Sequence, residues 1–139
     1  MRGSARRVAV TGIGVVAPCG QGKEAFWKGL LGPGITDHKA IHIADWDPLP
    51  YFDNPKDARR AYRVEQFALA AASEAFATSG DLPYERSRIG SIFGTGIGGL
   101  RTLEEQVITR VEKGERRVSP FLVPMMMANA CGAAISMRY

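Results

Sequence analysis

The stretch Arg88-Ile89-Gly90-Ser91-Ile92-Phe93-Gly94-Thr95-Gly96-Ile97-Gly98-Gly99 places a strand, a glycine loop and the start of a helix in immediate succession. Residues 88–94 read as a strand. Thr95 to Gly99 reads as a loop whose missing side chains permit close backbone approach. Leu100 to Lys113 then reads as a helix, with Leu100, Leu103, Val107 and Val111 on one stripe and Gly114 as its stop.

The N-terminal region repeats this grammar. Arg7 to Val16 contains Val-Ala-Val-Thr-Gly-Ile-Gly-Val-Val and reads as a buried strand running into a glycine turn. Phe26, Trp27, Leu30 and Leu31 predict a helix over Lys23–Leu31, closed by Gly32-Pro33-Gly34. Residues 35–55 carry turn chemistry at Asp45–Pro48 and Asp53–Pro55, with room for at most one short extended segment. From Ala58 to Ser79 the spacing of Val64, Phe67, Ala68, Ala71 and Ala75 predicts one long helix. Leu69 and Phe76 on another face predict burial on more than one side, and Gly80 ends the run. Pro124 suits the first position of a last helix over Met125–Tyr139. Strands alternating with helices predict an α/β layered fold, a mixed sheet flanked by helices. The last helix carries no stop signal, so the sheet is expected to be incomplete and the domain to continue beyond Tyr139.

Composition bounds the function classes. With 139 residues, 45% hydrophobic and 23% charged, the chain has the size and balance of one soluble globular domain. No apolar run approaches the ~18 residues of a membrane span, and the glycine-broken start lacks a signal-peptide core, so a cytoplasmic protein is expected. Met1-Arg2-Gly3-Ser4 resembles an expression leader and carries no weight. Cys19 and Cys131 lack metal-ligand spacing, and a disulfide is not expected without export. His38 and His42 stand i,i+4 without the intervening glutamate or a third ligand, so no metal site is expected. The net charge of +4 suits an anionic partner. No dense Lys/Arg cluster interleaves with aromatics, so nucleic acid is not the expected partner.

Two stretches match the dinucleotide fingerprint, Gly12-x-Gly14-x-x-Ala17 and Gly94-x-Gly96-x-x-Gly99. Such glycines let a pyrophosphate approach a helix N-terminus. The first is followed at once by Pro18. The second has strand and helix on either side but no acidic strand end ~20 residues on, since Glu112 and Glu115 lie in Arg-Val-Glu-Lys-Gly-Glu-Arg-Arg. A nucleotide-binding domain therefore stands as the lesser alternative, to be tested by titration with NAD(P). Close backbone packing is the plainer reading of both loops.

Four stretches in this order resemble the β-ketoacyl-acyl-carrier-protein synthases. They are residues 8–20 (VAVTGIGVVAPCG), residues 89–100 (IGSIFGTGIGGL), Leu103-Glu104-Glu105, and residues 118–130 (VSPFLVPMMMANA). The resemblance implies a thiolase-like layered fold, of which residues 1–139 would be an incomplete N-terminal half, usually paired as a homodimer. It implies an elongating acyltransferase of fatty-acid or polyketide assembly. An acyl chain passes from carrier-protein phosphopantetheine to a cysteine, and a malonyl-carrier unit loses CO2 and condenses with it. No metal or other cofactor is implied. The nucleophile and its two histidines are expected beyond residue 139, so no catalytic residue is assigned here and this chain alone is expected to be inactive. Cys131, placed inside the last helix, reads as a packed thiol. By the resemblance Leu103 and Met126 border the acyl pocket, and Lys56, Arg59 and Arg60 form the basic patch that meets the acidic acyl-carrier protein. A non-catalytic, chain-length-setting partner subunit, which would form a heterodimer, is the alternative the resemblance leaves open.

Overall fold

The computed structural model describes residues 7–35, 42–43 and 45–139. One helix organises them. α3 (Arg63–Ser79) buries Ala68, Leu69 and Ala70 in succession, and three consecutive positions cannot share one face of a 3.6-residue repeat. It is therefore enclosed on several sides, as the placement of Leu69 opposite the alanine stripe predicts. The other helices are α1 (Lys23–Leu30), α2 (Pro55–Arg60), α4 (Leu100–Lys113), α5 (Leu122–Met126) and α6 (Ala130–Arg138), with α4 packed on α5 and α5 on α6. α6 packs on α3, and the chain ends with Tyr139 stacked on Phe76, ring centroids 4.0 Å apart.

The glycine-bearing N-terminal segment lies along the opposite side of α3. A Cβ on Gly12 would meet the Ala75 carbonyl at 2.0 Å, and one on Gly14 the Ala71 carbonyl at 1.8 Å. The Ile13 N–H donates to Thr78 Oγ1 at 3.3 Å and the Val15 N–H to Glu74 Oε2 at 2.9 Å. Both pairs advance two residues along the segment while retreating four along the helix. Two extended residues span about 6.6 Å and four helical ones about 6 Å, so an extended strand antiparallel to the helix stays in step. Only residues without side chains fit this seam, which is why the odd positions carry the hydrogen bonds and the even ones are glycine.

The segment then turns through β1 (Val16–Ala17) and β2 (Gly20–Gln21), an antiparallel pair with Val16 opposite Gln21 and Ala17 opposite Gly20. Glu74 reaches past it to α1: Oε1 accepts the Lys23 N–H at 2.7 Å. The Gly22 N-cap offers no side-chain acceptor, so a carboxylate from α3 takes one of the donors that every helix start leaves open.

Several expectations are corrected. Among the described residues the sheet is this two-residue pair alone, not a mixed sheet flanked by helices. The expected strands at 7–16 and 88–94 contribute to it only through Val16; residues 86–88 form a 3-10 turn instead. A ladder needs a neighbouring strand, and among the described residues these segments have none beyond the β1–β2 pair: Gly12 and Gly14 lie against a helix, and Val8, Val10 and Ile92 are 91%, 81% and 103% exposed. The long helix over 58–79 is two helices. Ala61 and Tyr62 take extended ψ values of 133° and 155° between α2 and α3. The last helix is also two, α5 and α6, separated at residues 127–129. Pro124 is the third residue of α5 rather than the first, still within the turn whose N–H groups lack helical partners. α1 and α4 lie where the sequence puts them, within one residue. The stripe expected to bury α4 faces outward, however. Leu100, Val107 and Val111 are exposed, and the buried residue is Thr102. No helix of the described residues is long and apolar enough to cross a membrane.

Candidate functional site

α2 is a one-and-a-half-turn helix that displays three cations. Asn54 caps it, its Oδ1 accepting the Lys56 N–H at 2.9 Å, and Pro55 opens it. Lys56, Arg59 and Arg60 stand at i, i+3 and i+4 and so share a face. All three are exposed, while Ala58 on the opposite side is fully buried. Lys56 and Arg59 project freely apart from a 3.3 Å bond from Arg59 Nε to the Pro55 carbonyl. Arg60 is held differently: its guanidinium lies 4.5 Å above the Phe121 ring and 3.9 Å from Asp57. The cation–π contact fixes this charge on the rim of a groove.

That groove runs between α2, α5 and α6 and has a volume of about 300 Å³, the lower end of small-molecule sites. Phe52, Phe121, Met125 and Met127 line it, with Arg60 at the edge and Glu65 inside. The residues named for an acyl pocket are not in this wall. Leu103 and Met126 are half-buried where α4 meets α5. There the Gly99 N–H donates to the Met126 carbonyl at 3.2 Å. The second glycine loop divides in the same place. A Cβ on Gly98 or Gly99 would meet the Met126 or Met125 carbonyl within 2.8 Å, and Gly98 has φ +70°, whereas Gly94 and Gly96 face open space. The last two glycines thus serve backbone packing against α5.

Cys131 needs a correction. Because the last helix breaks, this thiol sits in the first turn of α6 rather than mid-helix. That position alone favours a thiolate. Its pKa is nevertheless pushed up, first by burial, then by the Glu65 charge. It is 2% exposed and behaves as a core residue. Glu65 is itself raised above its ordinary 4.5 by burial, only partly countered by a backbone hydrogen bond at Tyr62. The folded chain thus holds the Glu65 proton more tightly than the unfolded chain does. This group favours the folded state at low pH, and that contribution is lost as pH rises from 4.5 through the raised folded value. Glu65→Gln is expected to flatten this fall and to stabilise the chain at neutral pH, as read by urea unfolding across pH. An unchanged pH profile would refute it.

Among the described residues no three His, Cys, Asp or Glu side chains gather as a metal requires. His38 lies outside the described residues. Two residues of this region carry no sequence signal of their own, Gln66 and Arg138; Phe121 lies in the stretch 118–130 but has no assigned role there. Arg138 Nη1 donates to the Tyr51 carbonyl at 2.5 Å and stands 3.7 Å from Asp53, tying α6 to the loop before α2. The partners are 87 residues apart, so no local pattern could have paired them.

The fold is shared with a known class. A chain in a solved structure, described as a type II polyketide synthase acyl-carrier protein in complex with its ketosynthase bound to the hexaketide, superposes with a TM-score of 0.78 at 20% identity. It covers 94% of this chain and 38% of that one. Residues 36–139 match the family described as Beta-ketoacyl synthase, N-terminal domain, and the chain belongs to it. Relatives include 3-oxoacyl-[acyl-carrier-protein] synthase 2 of Synechocystis sp., 36% identical over 140 residues, covering 89% of this chain and 33% of the relative. The Vibrio harveyi protein of the same name is 35% identical, covering 96% and 35%. A Streptomyces cyaneus protein named as a polyketide beta-ketoacyl synthase is 41% identical over 126 residues, covering 80% and 30%. The chain spans about a third of the length of these relatives.

Proposed function

We propose that this chain is the N-terminal portion of an elongating 3-oxoacyl-acyl-carrier-protein synthase, working in fatty-acid or polyketide assembly as part of a dimer. Its share of the work is to receive the carrier protein and to border the acyl chain. The observation that carries this reading is the exposed Lys56, Arg59 and Arg60 face of α2, a compact positive surface on a member of this family. An acyl-carrier protein that presents acidic side chains would be steered to it, with the charges acting more on encounter than on final affinity. The acyl substrate arrives on the carrier's own phosphopantetheine, so the reading requires no further cofactor. Leu103 and Met126, packed where α4 meets α5, are proposed to border the acyl pocket. No residue of 1–139 is assigned as nucleophile or as a decarboxylating histidine.

The test is a titration of the 139-residue chain with fluorescent acyl-carrier protein at several salt concentrations. Saturable binding that weakens with salt is expected. Lys56→Glu, Arg59→Glu and Arg60→Glu together should weaken it by at least about tenfold. Equal binding by the triple variant would remove the patch from the proposal. Condensation of acyl and malonyl thioesters by this chain alone would show that its chemistry has been misassigned.

A further inference from the structure

Three cations on a six-residue helix are useful only if the helix holds still. An isolated helix shorter than ~12–15 residues is marginal in water, and its last four carbonyls have no backbone partners. α2 solves both problems through one side chain from its neighbour. Gln66 Nε2 donates to the carbonyls of Ala58 at 2.9 Å and Ala61 at 3.1 Å. Its Oε1 accepts the indole N–H of Trp46 at 2.8 Å. Both amide hydrogens and the amide oxygen are thus engaged, in a partly buried position.

Trp46 is in turn held by aromatic contacts. Its ring stacks on Tyr51 at 5.6 Å and meets Phe67 edge-on at 4.7 Å. The indole therefore fixes the Gln66 amide, and the amide fixes the C-terminal end of α2, where Arg59 and Arg60 project.

We propose that Gln66 is a positioning residue for carrier-protein docking: it makes no contact with the carrier but preorganises the Lys56, Arg59 and Arg60 face through the Trp46–Gln66–α2 clamp. The inference rests on the docking role proposed above. Without the amide, α2 keeps its charges and loses its fixed pose. The carrier is still attracted, but it must order the helix on binding, and that cost appears as lost affinity.

The experiment compares the 139-residue chain with its Gln66→Met variant by amide hydrogen exchange and by carrier-protein titration across ionic strength. Exchange at Arg59, Arg60 and Ala61 is expected to rise about tenfold while Ala68–Ala70 stay protected. The carrier Kd should rise by about fivefold with the same dependence on salt, because no charge has been removed. Lys56→Ala should leave exchange in α2 unchanged while it raises the Kd and flattens the salt dependence. Trp46→Phe, which keeps the ring but loses its N–H, should give an intermediate shift in both readouts and serves if Gln66→Met loosens the whole chain. Unchanged exchange in α2, or a loosened α2 with unchanged Kd, overturns the inference. A wild-type chain that does not bind carrier overturns the docking role itself along with it, whereas wild-type binding with unaltered variants overturns the clamp alone.

Discussion

Gly14→Val is expected to abolish cooperative unfolding of the chain. The new Cβ would stand 1.8 Å from the Ala71 carbonyl oxygen and 2.9 Å from the Ala75 nitrogen. Both belong to the interior of α3, whose backbone cannot retreat without losing its own hydrogen bonds. Overpacking a tight interior costs about 1–3 kcal/mol and sometimes more, and this contact is closer than side-chain adjustment can relieve. Gly14→Ala is therefore expected to cost at least about 3 kcal/mol, a large share of an ordinary domain's stability. Gly96→Ala, at a site open on all sides, should change stability by no more than about 0.5 kcal/mol. Chemical denaturation followed by circular dichroism reads all three. Equal midpoints for Gly14→Ala and Gly96→Ala would mean that the segment does not ride on α3 as described.

Glu74→Ala should be the next most damaging change, at about 2 kcal/mol. One carboxylate receives the Val15 N–H at 2.9 Å and the Lys23 N–H at 2.7 Å. Hydrogen bonds to a charged acceptor contribute about 1.5–3 kcal/mol each. The Lys23 bond is exposed and water can replace part of it, so the estimate lies well below the sum. Glu74→Gln keeps one acceptor oxygen and should recover about half of the loss. The same denaturation measurement decides, and a neutral Glu74→Ala would show that water serves these two amides equally well.

The helices that begin and end on strong local signals were legible in the sequence. Gly114 closes α4 and Gly80 closes α3 because glycine accepts the positive φ, 86° and 69°, that ends each helix. The break at Ala61–Tyr62 was not legible, since neither residue is a helix breaker. It arises because Gln66 captures the α2 carbonyls and Ala58 buries against the core, which are tertiary causes. The apolar run in residues 7–16 read as a buried strand, but such a run does not say what will lie beside it, and Gly12–Val15 ride on α3 rather than on a second strand. The three cations were named through the family resemblance alone; α2 then places them on one face, at i, i+3 and i+4. The groove beside them was not legible. Phe52, Glu65 and the two ends of α5, Phe121 and Met127, come from three separate segments, and only folding brings them together.

The enclosed thiol of Cys131 offers a clock. A maleimide or iodoacetamide reagent cannot reach a side chain lodged between two helices, so modification must wait until α6 swings off α3. Its alkylation rate would count those excursions one at a time, and Cys19, which remains partly accessible, supplies a reference reading within the same molecule.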